Sequence, residues 1–194
     1  NMAERDAFGT IIKPGNFSIS KFISETEVLG GITRKWKHII EIKPPATLIS
    51  EVEASSISFL CSASQLPRRA FSTTEEKIYG IEKTIPYGVI YEPVTLSFIN
   101  TNNFNPKIFW EDWLDHIQPA KTRNIQYYKN IIGSIKIFQF SDTAGSPEPG
   151  KENYICTLEE AWPESISEIT LDWEDAEIMK FDISIRYKSW SRKK

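Results

Sequence analysis

Histidine and cysteine are nearly missing from this sequence, with two of each in 194 residues. A zinc site needs three or four ligands gathered in space, and His38, His116, Cys61 and Cys156 are too few and too scattered to supply the usual cluster. Cys61 and Cys156 each sit inside an apolar strand pattern, so they read as buried free thiols rather than a bridge or a metal site. An excess of positive charge is also missing. Lys and Arg number 23 against 26 Asp and Glu, giving a net charge of −3 and a pI near 5.6. That balance excludes an obligate, tight nucleic-acid binder, which displaces counterions with a clear surplus of cations. Long apolar runs are absent too. Residues 1–15 carry Glu4, Arg5 and Asp6, so neither a signal peptide nor a membrane span is expected, and the chain reads as a cytosolic product. No phosphate loop, no G-x-G-x-x-G after a strand and no G-x-S-x-G elbow occurs, and Gly30-Gly31 is linker-like only. No enzymatic activity, cofactor or metal is expected.

What the chain does have is apolar and aromatic mass, 40% hydrophobic and 12% aromatic. That suffices for one domain with a sizeable core and an appended arm. The organising stretch runs from Val94 to Ile117. Val94, Leu96 and Phe98 alternate with Thr95 and Ser97 as a half-buried strand does, and Asn100 to Asn103 break the chain. A helix follows, with Asn105 expected as N-cap and Pro106 at the first helical position, where its missing N–H goes unnoticed. Trp110, Trp113, Leu114 and Ile117 then fall on one stripe, which must be covered by β structure from the rest of the chain.

Elsewhere period-two patterns dominate. Residues 1–31 read as an N-terminal arm with a short apolar patch at Phe17, Ile19, Phe22 and Ile23; it either docks on something or is a loose terminus. The remaining 32–194 make the β domain. Strands are expected through Trp36, His38, Ile40 and Ile42, and through Ile57, Phe59, Cys61 and Ala63. Arg68 to Thr74 reads as a polar turn, Glu76 to Ile85 as a strand with Tyr79, Ile81 and Ile85 on one side, Pro86-Tyr87-Gly88 as a turn and Val89 to Ile99 as the return strand. This is a long hairpin whose outer part, Glu75 to Pro93, fits either an arm reaching beyond the body or a solvated edge. Asn130 to Phe140 is apolar on both faces and reads as central, and 141–150 as a surface loop. Tyr154 to Leu171 and Met179 to Tyr187 supply the last strands. Seven or eight strands to one principal helix point to a mainly β fold: an antiparallel sandwich or partly closed barrel with one flanking α-helix and a protruding hairpin.

His116 follows Asp112 by four residues, which on a helix surface most simply makes a pair. A general base there is the weak enzymatic alternative. Charge is laid out in blocks: Glu159, Glu160, Glu164, Glu168, Asp172, Glu174, Asp175 and Glu177 without a cation, then Arg186, Lys188, Arg192, Lys193 and Lys194 without an acid. Two solvated faces would look like this. So would head-to-tail self-association, in which Arg192, Lys193 and Lys194 meet the acidic side of the next copy and a heterologous contact closes a ring.

Several segments in order carry a likeness. Phe59 to Pro67, Ile85 to Gly88, the helix Phe109 to Leu114, Ala161 to Ile166, Leu171-Asp172-Trp173 and Ile178 to Ile185 together resemble the tail tube proteins of T4-like contractile phages over most of 34–190. The pattern is also similar to baseplate tube-initiator proteins and to inner-tube proteins of related contractile injection systems. The resemblance implies a structural virion protein of the phage tail, formed in the host cytoplasm, whose hairpins join neighbours into hexameric rings that self-assemble into a stacked tube. DNA would pass through the lumen without specific binding during ejection. The protein itself, the tail sheath protein, and the baseplate and tail terminator proteins are the implied partners. Arg68, Arg69, Glu75, Glu76, Tyr79, Tyr87 and Tyr91 would then lie at subunit or ring contacts. The arm and the stretch from Pro44 to Ser55 exceed what a plain tube subunit needs, which leaves the initiator ring as the alternative. A monomeric β binding module is the reading from another class.

Overall fold

The structure is a computed structural model that describes residues 19–28, 33, 35–50, 52–77, 80, 82–140, 152–174 and 177–193. The alternation at Val94, Leu96 and Phe98 forms strand β5 (Val94–Ile99), with those three side chains buried. Around it stand β1 (His38–Lys43), β2 (Cys61–Ser64), β6 (Gly133–Phe140), β7 (Glu152–Ile166), β8 (Lys180–Arg186) and β9 (Ser189–Lys193). They make a seven-stranded antiparallel sheet in the order β1-β6-β7-β8-β5-β2, with β9 added along β7. It does not close into a barrel.

The long strand β7 holds the sheet's two halves together. Its first part pairs with β6 on one edge and β9 on the other; beyond Ala161 it pairs with β8. At the changeover Glu160 takes a left-handed φ of 52°, and Lys188 N–H donates to the Glu159 carbonyl at 3.1 Å. A non-glycine residue in that region is uncommon, and here it turns the strand between half-sheets. β9 and the last residues of β8 keep one register along β7, which shifts between Pro163 and Ser165, so β8 and β9 run on as one strand interrupted at Tyr187-Lys188.

Helix α3 (Asn105–Ile117) lies against the sheet and buries Pro106, Phe109, Trp110 and Trp113. The two indoles stack with centroids 5.5 Å apart and planes 2° from parallel, and Phe98 and Phe109 pack on Trp110 at 5.5 and 5.4 Å. Trp113 Nε1 donates to the Ile131 carbonyl at 3.0 Å, which satisfies the buried indole's one polar group. Gly133 begins β6 directly under Trp113 and beside the Lys43 carbonyl, where a Cβ would collide with both.

Several expectations are corrected. Ile57 belongs to a five-residue helix α2 (Ala54–Ser58) rather than a strand, and it is buried while Phe59 is exposed. One helical turn is too short to show a period, and the apparent alternation came from the chain leaving α2 for β2. α2 has a task at the edge: Ser58 Oγ accepts from the Ile42 N–H at 3.3 Å and donates to the Ala54 carbonyl at 2.9 Å. Arg68 to Thr74 is no loop, since β3 (Arg69–Glu76) pairs with β4 (Lys83–Tyr91), and Pro86-Tyr87-Gly88 lies within β4. The reversal falls between Glu76 and Lys83; Tyr79 and Ile81 lie outside the described residues. Asn105 is the first helical residue, preceded by Phe104 with φ 54°. Among the described residues there are nine strands, with β8 and β9 separate, and three short helices join α3: α1 (Ile19–Val28), α2 and α4 (Tyr128–Ile131).

Candidate functional site

Among the described residues the β3–β4 hairpin pairs with no other strand. A two-stranded ribbon is marginal by itself in water, so something must brace it. At its base the Arg69 guanidinium lies over the rings of Tyr91 and Trp190, 5.8 and 5.0 Å from their centroids, and Tyr91 packs on Tyr187 at 5.9 Å. Arg68 pairs with Glu92 at 3.3 Å. Of the residues singled out in the sequence, Arg68, Arg69 and Tyr91 thus meet at the root and anchor the hairpin to β9. Trp190, their partner, lay inside a basic run and gave no sign of this role.

Beyond the root the ribbon is uncovered. Phe71 and Val89 face each other across the strands, Ala70 and Ile90 do so on the opposite face, and Phe71, Val89 and Ile90 are all exposed. Tyr87 is 73% exposed at the register shift that places Thr73 opposite Pro86. A bulge there suits proline, which has no N–H to offer a ladder. Glu75 and Glu76 sit near the tip opposite Thr84 and Lys83. The sequence reading missed Phe71, Val89 and Ile90 as surface residues, although their alternation across the two strands was the available signal. Apolar side chains exposed on both faces of such a ribbon are of the kind on which contacts between chains form.

The charge blocks resolve differently from the head-to-tail expectation for Arg186 and Lys188. Arg186 Nη2 reaches Glu164 at 2.8 Å and Lys188 Nζ reaches Glu160 at 2.6 Å, while Ser189 and Ser191 donate to the Glu159 carboxylate at 2.9 and 3.0 Å. The hydrogen bond from Lys188 holds the Glu160 carboxyl below its usual range, and its counterpart raises Lys188. Blocks that look like opposed surfaces in sequence are neighbouring strands of one sheet. Arg192 and Lys193 lie exposed on β9; Lys194 lies outside the described residues.

Asp112 and His116 do not pair. Asp112 Oδ2 accepts from Ser50 Oγ at 2.8 Å, and His116 Nε2 lies 3.0 Å from Thr47 Oγ1 and 3.1 Å from the Asn130 carbonyl. Thr47 and Ser50 therefore lie against α3 and give the two side chains separate partners. A cleft of about 580 Å3 beside the helix is lined by Ile49, Val52, Glu53, Ser56, Asn105, Ile108 and Asp112, without the histidine. Among the described residues no three His, Cys, Asp or Glu side chains converge as metal ligands, and no helix is long and apolar enough to cross a membrane.

Comparison with known proteins bears on this arrangement. The family model described as "Phage tail tube protein" matches residues 33–193. Among solved structures, the fold is similar to a chain of the anti-feeding prophage baseplate, with TM-score 0.59 and 10% identity over 83% of this chain and 95% of that one. It is similar to a chain of the PVC sheath/tube terminator of an extracellular contractile injection system, with TM-score 0.59 and 13% identity over 84% and 97%. A chain of the PVC sheath-tube complex gives 0.56 and 14% over 92% and 99%. No curated protein is significantly similar in sequence. With the family pattern spanning the whole β domain, the chain belongs to the phage tail tube protein family and is a structural protein of the tail.

Proposed function

We propose that this chain is a subunit of the inner tail tube, in which copies join through the β3–β4 hairpin into hexameric rings and the rings stack around a channel for phage DNA. The observation that carries this is the hairpin itself: a ribbon braced at its root by Arg69, Tyr91 and Trp190 and bare of cover on both faces. Phe71, Tyr87, Val89 and Ile90 are the contact residues there, with Glu75 and Glu76 at the tip. Arg192 and Lys193 on the open edge of β9 add to the contact between copies. Among the described residues β1 and β2 also have a neighbouring strand on one side only. Family membership supports the tail location, and the solved neighbours make sheath, baseplate and terminator proteins the natural partners. A net charge of −3 suits a conduit, since a strongly basic lumen would hold the sliding phosphate backbone.

Replacing residues 72–88 with a short Gly-Ser turn tests the reading. The hydrophobic core is remote from this segment, so far-UV circular dichroism and cooperative unfolding should be kept while rings and tubes vanish in negative-stain electron microscopy. Tubes formed by the shortened protein would refute the hairpin's role. A baseplate initiator ring is the second reading, favoured by the likeness to a baseplate chain. It differs in one outcome, since initiator copies would form single rings that do not extend with rising protein concentration.

A further inference from the structure

Two exposed segments remain unexplained by the hairpin, and they have opposite character. The first runs from Lys121 to Lys129: Lys121, Arg123 and Lys129 without an acid, interleaved with Ile125, Tyr127 and Tyr128, every residue of it exposed. The second runs from Ser167 to Glu174, after β7. It carries Glu168, Asp172 and Glu174 with Leu171 exposed and Trp173 wholly in solvent. None of these three acids or three cations is engaged in an ion pair among the described residues. A fully exposed indole on an acidic loop, and two tyrosines with an isoleucine on a basic one, are what two halves of a contact look like when separated.

The halves cannot meet within one chain. Gln126 N–H donates to the Ile117 carbonyl at 3.0 Å, tying the basic segment to the C-terminal end of α3. Ser167 N–H donates to the Asp182 carbonyl at 2.8 Å and Asp182 pairs with Ser97 on β5, while Asn100 N–H donates to the Met179 carbonyl at 3.0 Å, so the chain on both sides of the acidic segment is held at the end of β5 that leads into α3. A helix of thirteen residues holds its ends about 20 Å apart. The basic segment is also shaped in advance. Arg123 has φ 54°, its N–H donates to the Pro119 carbonyl at 2.9 Å, and its own carbonyl accepts from Gln118 Nε2 at 3.1 Å. A residue held by two hydrogen bonds in a sparsely populated conformation loses little further freedom on docking.

We infer that the acidic segment 167–174 of one copy docks, Trp173 foremost, on the basic aromatic segment 121–129 of another copy, in a head-to-tail contact that repeats along the assembly. A heterologous contact between opposite ends of a molecule propagates, which is what layering of rings requires. The opposed charges fix which end meets which. This inference rests on the tail-tube reading and adds to it the surfaces that join one layer to the next.

Two reversed proteins test it. One carries Lys121→Glu, Arg123→Glu and Lys129→Glu; the other carries Glu168→Lys, Asp172→Lys and Glu174→Lys. Each alone presents like charges at both ends. The concentration needed for stacking, read by light scattering and negative-stain microscopy at low salt, should rise at least about tenfold for either. An equimolar mixture should recover stacking, because each end then faces an opposite one. If a triple variant does not fold by circular dichroism, Arg123→Gln and Asp172→Asn are used singly, with a smaller rise expected for each. Stacking of the folded variants at the wild-type concentration, or a mixture that fails to recover it, overturns the inference while leaving a stacking wild type as a tube protein. A wild-type protein that assembles under no condition overturns both.

Discussion

At the residue scale the fold depends on a few close approaches that allow little substitution. Gly133 is the tightest, with a Cβ there meeting the Lys43 backbone oxygen and the Trp113 ring. Gly133→Ala should therefore lower stability by about 2 kcal/mol through overpacking, read as a drop in the urea midpoint with unchanged slope. Ser58 is next. Its hydroxyl accepts from the Ile42 N–H at the β1 edge, so Ser58→Ala strands a buried donor and should cost about 1 to 3 kcal/mol. The two thiols are displaced by burial, Cys61 up to about 12 and Cys156 up to about 11, from an ordinary value of 9.0. Both stay protonated in the folded state, so their contribution is complete below pH 9 and fades as pH rises through 11 to 12, because the unfolded thiols ionise first. Alkylation of Cys156 at pH 8 should be slow in the native protein and fast in denaturant; its rapid labelling in the native form would contradict its burial. Trp110 and Trp113 were readable from spacing alone because a 3.6-residue period survives thirteen residues. Ile57 was not, since five residues make one turn and no period.

At the scale of elements, the hairpin shows how a correct element can be drawn with the wrong reversal. Pro86-Tyr87-Gly88 carries the chemistry of a turn, but the same residues serve a bulge, where an extra residue and a missing N–H are equally welcome. Only the pairing across the strands, with Phe71 opposite Val89 and Arg69 opposite Tyr91, separates the two cases. The root was hidden for a related reason: Trp190 sits among Arg and Lys in sequence, and its aromatic face becomes useful only because β9 runs back along β7. The hairpin's exposed side chains lead to a sharper expectation than its removal does. Phe71→Ser combined with Val89→Ser touches no core contact, so the unfolding free energy should change by about 0.5 kcal/mol or less. Assembly should nonetheless fail. A double variant that forms tubes as readily as wild type would transfer the contact to the strand edges.

For the whole molecule, electrostatics divides into pairs spent inside the chain and charges held outward. The sequence presented one acidic block and one basic block, and nothing in their spacing could show that Glu160 and Glu164 would face Lys188 and Arg186 across adjacent strands. That is a matter of register, set by the bend at Glu160 and the continuous run of β8 and β9. The consequence can be measured. Arg186 and Glu164 form an exposed pair, worth at most about 1 kcal/mol, so Arg186→Ala should lower the unfolding free energy by no more than that. Because the pair closes within one chain, the same substitution should leave the salt dependence of assembly as it is in wild type. Reversal of the cations at 121–129 should change that dependence strongly, since charges that meet only across copies are the ones that added salt screens at the moment of contact. An Arg186→Ala protein whose assembly loses its salt sensitivity would mean that the β7–β8 pair opens to bind a neighbour, and the division between internal and outward charge would have to be redrawn.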